Sequence, residues 1–482
     1  MIISLFTIVY VVCILVLSTF AIGSVTLLVA YLLHRHDTVR PYVAVEWPRA
    51  AVQLPLYNEL YVVERLLKAC AELDYPRDRL TIQVLDDSTD QTSALVEKLV
   101  TEWRAKGVDI QHVRRSSREG YKAGALAYGL KLLDAEMVAV LDADFIPPPH
   151  FLKYAISPLV NNPRLAAVQG RWGHLNSQQN PLTRAATLAL DGHFVVEQTA
   201  RNRAGWLMNF NGSGGVWRVK AIEEAGGWQA ETLTEDMDLS YRAQLIGWQF
   251  LYLPDLVVPG EIPPEIAAYK QQQARWAQGG TQCFVRLIGP VWTTPHLTLM
   301  QRIMASMHLS QYIMHPVMIV VLLLTPPLLM AHSLQHLNLG ILGMVGLGPP
   351  LLYSFSQQAL YGDWKRRTIL SMPMLFIIGT GIAWTNSNAV IRGLLNRHDE
   401  FRRTPKYAQK LQGNRYALRL NASTFWEIAL CLYAAWGAWT AYRLAPQLTL
   451  YLLVYCLAFG VVALWGVHDS WLTHRLLARQ PA

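Results

Sequence analysis

The chain has 482 residues, 52% of them hydrophobic, with a mean hydropathy of +0.19 and a formal net charge of +8. This is longer than one ordinary domain and more apolar than a purely soluble enzyme, so an integral membrane protein is expected. The charge is uneven: 15 Lys and Arg against 5 acids after residue 300 leave +10 there, and 27 against 29 leave −2 before it. The late cations sit in short loops between apolar spans, where positive-inside topology and anionic lipid account for them, and nucleic-acid binding is set aside.

Residues 3 to 33 form an almost uncharged apolar run, longer than the ~20 residues that span a bilayer and without the basic start of a cleaved signal peptide. A transmembrane anchor over 1–33 is expected. From 34 to 290, short β-branched strands alternate with helices, the pattern of an open α/β sheet. Strands are predicted over Ala51 to Leu54 and Thr81 to Leu85, with a helix from Tyr61 to Glu72 between them. Met137 to Leu141 is a further buried strand, and it delivers Asp142 and Asp144 to its carboxyl end, where such sheets bind ligands.

The third part, 291–482, carries apolar spans at 309–331, 337–357, 424–442 and 448–468. The stretch 367–395 is also apolar but is interrupted by Trp384-Thr385-Asn386-Ser387-Asn388. A full crossing there would put the basic loop from Arg392 to Arg419 opposite the basic residues at 365–367, so the stretch is expected to lie in the interface or to re-enter. Five crossings follow, with the N-terminus outside and the 34–290 domain in the cytosol. Cys13, Cys70, Cys283, Cys431 and Cys456 show no Cys-x-x-Cys spacing and read as packing residues.

Chemistry concentrates between Gln53 and Trp276. Pro55, Tyr57 and Glu59 follow the first strand, and Asp86 and Asp87 the second; both loops offer aromatic and acidic groups to a base and ribose, although each also suits a strand-to-helix turn, with Asn58 as a helix cap. Lys122 opens a helix after a turn, so its ammonium and the helix amides can face a diphosphate. Asp142 and Asp144 at a buried strand end are costly unless a cation neutralises them, and an Asp-x-Asp there suits Mg or Mn against a diphosphate. Glu235 and Asp236 precede an amphipathic helix. Inverting transfer needs a base, and Asp236 is assigned that role with Glu235 beside it. Gln272, Arg275 and Trp276 share one helical face, where Arg can neutralise a leaving diphosphate and the indole can stack on a sugar. Asn211, Gly212 and Ser213, in a Gly-rich segment, are assigned with Trp276 to the acceptor. The ordered set reads as a site for glycosyl transfer from a nucleotide sugar.

These residues, in this order, resemble the processive glycosyltransferases of family 2, whose signature is D, D-x-D, T-E-D and Q-x-x-R-W. The resemblance covers about 50 to 300. It is nearest to the plant cellulose-synthase-like mannan and glucan synthases, through Gln83 to Asp90, Arg118 to Ala125 and Phe210 to Arg218. The chain is also similar, more distantly, to bacterial cellulose synthase, which has a cysteine where Asn211 stands. The resemblance implies an α/β GT-A, Rossmann-like glycosyltransferase domain inserted between an N-terminal transmembrane helix and a C-terminal α-helical membrane domain. It implies that Asp87 contacts the nucleoside, Asp142 and Asp144 the diphosphate and metal, Trp276 the acceptor sugar, and that Asp236 is the base. Phe401, Thr404 and Lys406 are similar to the gating loop of cellulose synthase, placing such a loop at about 396–410.

The leading expectation is an inverting polymerase of a β-linked mannan, glucomannan or glucan that uses GDP-mannose or UDP-glucose and extends a growing polysaccharide at a membrane. Transfer of a single sugar to a lipid acceptor, as by ceramide or diacylglycerol glucosyltransferases, uses the same acids and is the alternative; a transporter with a soluble domain ranks last, because the spans hold almost no ionisable residues. Compact loops favour a bacterial plasma membrane over a Golgi membrane.

Overall fold

The computed structural model describes residues 2–37, 46–334, 346–397 and 423–477. The described residues begin with helix α1 (Ile2–His34), then give β1 (Ala50–Leu56), α2 (Val63–Ala71), β2 (Leu80–Asp86), α3 (Thr92–Ala105), β3 (Ile110–Arg114), α4 (Tyr121–Leu130) and β4 (Met137–Val140). There follow α5 (Phe151–Asn161), β5 (Leu165–His174), α6 (Pro181–Asp191), a π-helical turn (Gly192–Gln198), α7 (Thr199–Arg203), β6 (Gly215–Arg218), α8 (Val219–Glu224), α9 (Glu235–Leu245) and β7 (Gln249–Gly260). The predicted strands and the helix after the first are all present, with ends shifted by one or two residues, as fraying ends do.

The strands make one seven-stranded mixed sheet in the order β3-β2-β1-β4-β6-β5-β7. β3, β2, β1 and β4 run parallel, and β6 lies antiparallel between β4 and β5. Because successive strand side chains alternate between faces, Val52 and Leu54 of β1 pack with α2, α3 and α5 while Ala51 packs on the other face with α4, α8 and α9. Both faces are covered, which is why the strands read as nearly continuous apolar runs. The order reverses on either side of β1, and there the carboxyl ends of β1, β2 and β4 open one crevice, the place where open α/β sheets take ligands.

A long helix, α10 (Ile266–Thr293), leaves the sheet and leads to α11 (Leu299–Ser310), α12 (Met314–Met330), α13 (Gly348–Leu360), α14 (Trp364–Gly381), α15 (Ala383–Leu394), α16 (Ser423–Leu444) and α17 (Thr449–Leu477). Among the described residues three segments are long and apolar enough to cross a membrane: Ile2–His34, Leu299–Met330 and Pro446–Trp471. α14 and α15 become a fourth if counted as one span, but they bend by 48°, at the interruption that separates 367–395 from a simple crossing. The stretch 424–442 is helical in α16, which carries Glu427 and Arg443 and is not among these three; 337–357 falls partly outside the described residues, and its described part is the 13-residue α13. Tyr10 of α1, Leu322 of α12, Ala434 of α16 and Phe459 of α17 share one apolar core. The buried Lys270 of α10 pairs with the buried Glu427 of α16 and donates to Ser423 Oγ at 2.9 Å, fastening α10 to the apolar bundle.

Candidate active site

The crevice is a cavity of about 430 Å³, and its walls come from the strand ends, the Thr234 turn, α10 and the first helices of the apolar part. Pro55, Tyr57 and Glu59 line it after β1, and Asp87 after β2. Asn58 does not cap α2. In a left-handed conformation (φ 57°), its amide N–H donates to Ser88 Oγ (2.9 Å) and its Oδ1 accepts from the Thr89 amide (2.9 Å), so it laces the two loops together.

Asp86 and Asp87 part company. Asp87 faces the cavity and is gripped by Arg115, whose Nε lies 3.0 Å from Oδ1 and Nη2 2.5 Å from Oδ2, a bidentate pair that orients the carboxylate. Asp86 points into the sheet, 1% exposed, and accepts from the Ser88 amide and from His112 Nε2, both at 2.9 Å. Burial alone would raise its pKa, but the His112 and Ser88 hydrogen bonds win and hold it at about 2. Its donor-binding assignment is therefore corrected to a strut beneath Asp87: alternation along β2 sends consecutive side chains to opposite sides.

Lys122 sits at the centre. Its Nζ lies 2.6 Å from Asp142 Oδ1 and 3.5 Å from Glu235 Oε1, and donates to Gly212 O at 2.9 Å. Burial works against its charge, but Asp142 and Glu235 outweigh it and raise the pKa above the usual lysine value. Asp142 lines the cavity, its amide anchored on Ser213 Oγ (3.0 Å). Ser213 is fully buried, so its hydroxyl positions Asp142 rather than meeting an acceptor, which corrects its assignment. Asp144 is 3% exposed and accepts from the Glu261 amide at 2.9 Å. Among the described residues no three His, Cys, Asp or Glu cluster to enclose a metal ion. Asp142 and Asp144 are instead a two-carboxylate oxygen set open to the cavity, which fits a hard cation that takes its remaining ligands from a diphosphate and water.

Glu235 and Asp236 open α9. The turn before them is docked on α10: Leu233 N donates to Gln282 Oε1 (2.9 Å), and a Cβ on Gly279 would lie 2.7 Å from Thr234 Cγ2, so glycine is required for the approach. This contact sets Asp236 beside the Gln272, Arg275 and Trp276 face of α10, and all four line the cavity. Gly212, with φ 75°, admits Asp236 as well; its Cβ would be 2.9 Å from Oδ2. Burial, then the neighbouring Glu235 charge, push the Asp236 carboxyl up to about 7, against the pull of Lys122 and Arg275. A carboxylate so raised is a general base matched to neutral pH.

Beyond Trp276 the wall holds residues to which no role was assigned from sequence: Trp172 and His174 of β5, His193 and Glu197 of the π turn, Tyr269 of α10 and Tyr353 of α13. The charged Glu197 directly after the apolar Phe194-Val195-Val196 was a local signal for this wall. Arg118, inside a motif already singled out, lies 3.4 Å over the Tyr57 ring and lines the same cavity as Tyr57 and Asp87. Phe401, Thr404 and Lys406 lie outside the described residues. Asn211 lines the cavity, its Nδ2 2.9 Å from His193 Nε2.

With the strand order, the two carboxylates at the switch point and the buried Asp236 in place, the model for glycosyltransferase like family 2 matches residues 48–279. The likeness to that family lies over residues 48–279, just under half of the chain. The domain is 44% identical over 261 residues to probable glucomannan 4-β-mannosyltransferase 7 of Oryza sativa subsp. japonica, covering 53% of this chain and 45% of that protein. It is 46% identical over 246 residues to glucomannan 4-β-mannosyltransferase 2 of Arabidopsis thaliana, covering 50% and 46%. The chain thus spans about half the length of the relatives it matches. The solved structure of the mannosyltransferase PcManGT from Pyrobaculum calidifontis, in complex with GDP-Man and Mn2+, superposes with a TM-score of 0.52 at 21% identity, over 82% of this chain and 100% of that one, and so shares the GT-A-like fold.

Proposed function

We propose that the protein is a membrane-embedded, inverting hexosyltransferase that extends a β-linked mannan or glucomannan from GDP-mannose. The observation that carries this reading is Asp236: a carboxylate raised to about 7, at the junction of the strand-end acids with the Trp276 wall. In the mechanism, Asp236 takes the proton of the acceptor hydroxyl as that oxygen attacks the anomeric carbon from the face opposite the leaving diphosphate. Lys122 and Arg275 receive the charge that develops on the leaving group, and Asp87, held by Arg115, orients the nucleoside. Asp142 and Asp144 would hold a divalent cation, whose chemistry is to neutralise the diphosphate.

The names of the relatives support mannose as the sugar, and the GDP-Man and Mn2+ of the structural neighbour support GDP as the nucleotide and a divalent metal. A saccharide acceptor is favoured over a lipid by the far wall, where His174, Glu197 and the two tyrosines place hydroxyl, imidazole and carboxylate groups beside aromatic rings, the lining that sugars use.

The test supplies purified protein in nanodiscs with radiolabelled GDP-mannose or UDP-glucose and Mn or Mg, then partitions the product. Ethanol-insoluble label released by a β-mannanase is the expected result. Label in the organic phase would make the protein a glycolipid synthase, and no label in either fraction would reject transfer.

A further inference from the structure

A chain of hydrogen bonds ties the π-helical turn to the loop behind Asp236. Gln198 Nε2 donates to Asn211 Oδ1 at 2.6 Å, which fixes that amide's orientation and directs its Nδ2 to His193 Nε2 at 2.9 Å. A ring nitrogen that accepts carries no proton, so the proton of the neutral imidazole is on Nδ1, 3.1 Å from Glu197 Oε2. Both ring nitrogens are therefore taken by protein groups, although His193 lines the cavity, and no polar edge of the ring is left for a sugar hydroxyl.

The next residue meets the chemistry. Gly212 O accepts from Lys122 Nζ at 2.9 Å, and the Gly212 backbone backs directly onto Asp236. The turn is clamped in its turn: a Cβ on Gly192 would lie 2.6 Å from the Tyr353 ring, and Phe194 packs on Trp172 with ring centroids 5.1 Å apart. π turns recur at functional sites because the extra residue re-aims side chains that a regular helix would direct elsewhere.

We propose that His193, braced by Glu197, is a positioning residue for sugar transfer: it holds Asn211, and through the Gly212 carbonyl it keeps Lys122 and Asp236 in register with the reacting atoms. This rests on the glycosyl-transfer reading of the cavity. Small displacements of such groups cost rate rather than affinity, so His193→Ala should lower kcat by about 10- to 100-fold, with donor and acceptor KM unchanged within about twofold. His193→Gln keeps an acceptor for Asn211 and should recover part of the loss. A raised acceptor KM with kcat intact overturns the proposal in favour of direct sugar contact, and unaltered kinetics overturn it outright.

A second measurement needs neither turnover nor a folded alanine variant. In 15N-histidine-labelled wild-type protein in nanodiscs, with the His193 signals identified by their loss in His193→Gln, the ring should be the Nδ1–H tautomer. A ring protonated on Nε2 overturns the hydrogen-bond chain. Wild-type protein that transfers no sugar sinks the proposed function and the catalytic half of this inference together, and the tautomer then decides the chain by itself.

Discussion

On one side of the cavity Pro55, Tyr57, Asp87, Asp142 and Asp144 sit within a few residues of strand ends, whereas on the other His174, His193, Glu197, Tyr269 and Tyr353 come from a strand, a π turn and two helices spread over some 180 residues of chain. The first side is built by local rules: a parallel strand carries whatever follows it to the mouth of the sheet. The second exists only once α10 and α13 have packed on the domain. The difference teaches that the proposed donor side is a property of short segments and the proposed acceptor side a property of the assembled molecule, with Asp236 at the seam between them.

The largest expected effect comes from that seam. Asp236→Asn should lower kcat by at least about a thousandfold while GDP-mannose binding survives, measured by turnover and by calorimetry. Activity of the wild type should rise with pH through about 7 and level off above it, because the working form is the ionised one. The linkage has the opposite sign for stability: a folded pKa raised from 3.8 to about 7 favours the protonated fold, and that contribution is lost as pH rises through 7. Asp236→Asn should therefore also raise the melting temperature at pH 8. Retained activity would reject Asp236 as the base.

Lys122→Met tests whether the two sides share one centre, since Lys122 touches Asp142 and Glu235 together. A loss of about 100-fold in kcat/KM is expected. If only donor affinity changes, the lysine belongs to the donor side alone.

The neighbours Asp86 and Asp87 sharpen the comparison within the donor side. Asp87→Asn should weaken donor binding about tenfold at unchanged melting temperature, and Asp86→Asn should cost about 1–3 kcal/mol of stability with nearly unchanged donor affinity, read by thermal melts and calorimetry. The Asp86–His112 pair has its own pH window. Asp86, lowered to about 2, stabilises the fold above its ordinary 3.8 and less as pH falls toward 2; His112, raised above 6.5 by Asp86 and Glu97 against the effect of burial, stabilises below 6.5 and less as pH rises through its folded value. The penalty of Asp86→Asn should thus be greatest between pH 3.8 and 6.5.

The smallest effect is expected at the joint between the domain and α13. Buried Asp191 Oδ2 accepts from Gln357 Nε2 at 2.8 Å and from the Tyr361 hydroxyl at 3.3 Å. Tyr361→Phe should cost about 0.5–1.5 kcal/mol by thermal melts and leave transfer intact. A large loss of activity would mean that the joint itself tunes the cavity.

From the residues alone the alternating α/β order, the apolar anchor, the strand-end acids and the Glu235-Asp236 and Gln272 to Trp276 pairings were legible, because strand period, apolar length and i, i+3, i+4 spacing act over a handful of residues. Side-chain direction was not: the same two-residue period that marks β2 sends Asp86 inward and Asp87 outward, and only the position of His112 tells which is which. Ser213 likewise reads as a site residue until its hydroxyl is found on the Asp142 amide. Tertiary structure alone decided the bend between α14 and α15, the π turn and its His193 network, and the docking of Gly279 on Thr234 that brings Asp236 and Trp276 into one cavity. Those features depend on contacts between segments far apart in the chain, and no local pattern encodes the partner that a side chain will meet.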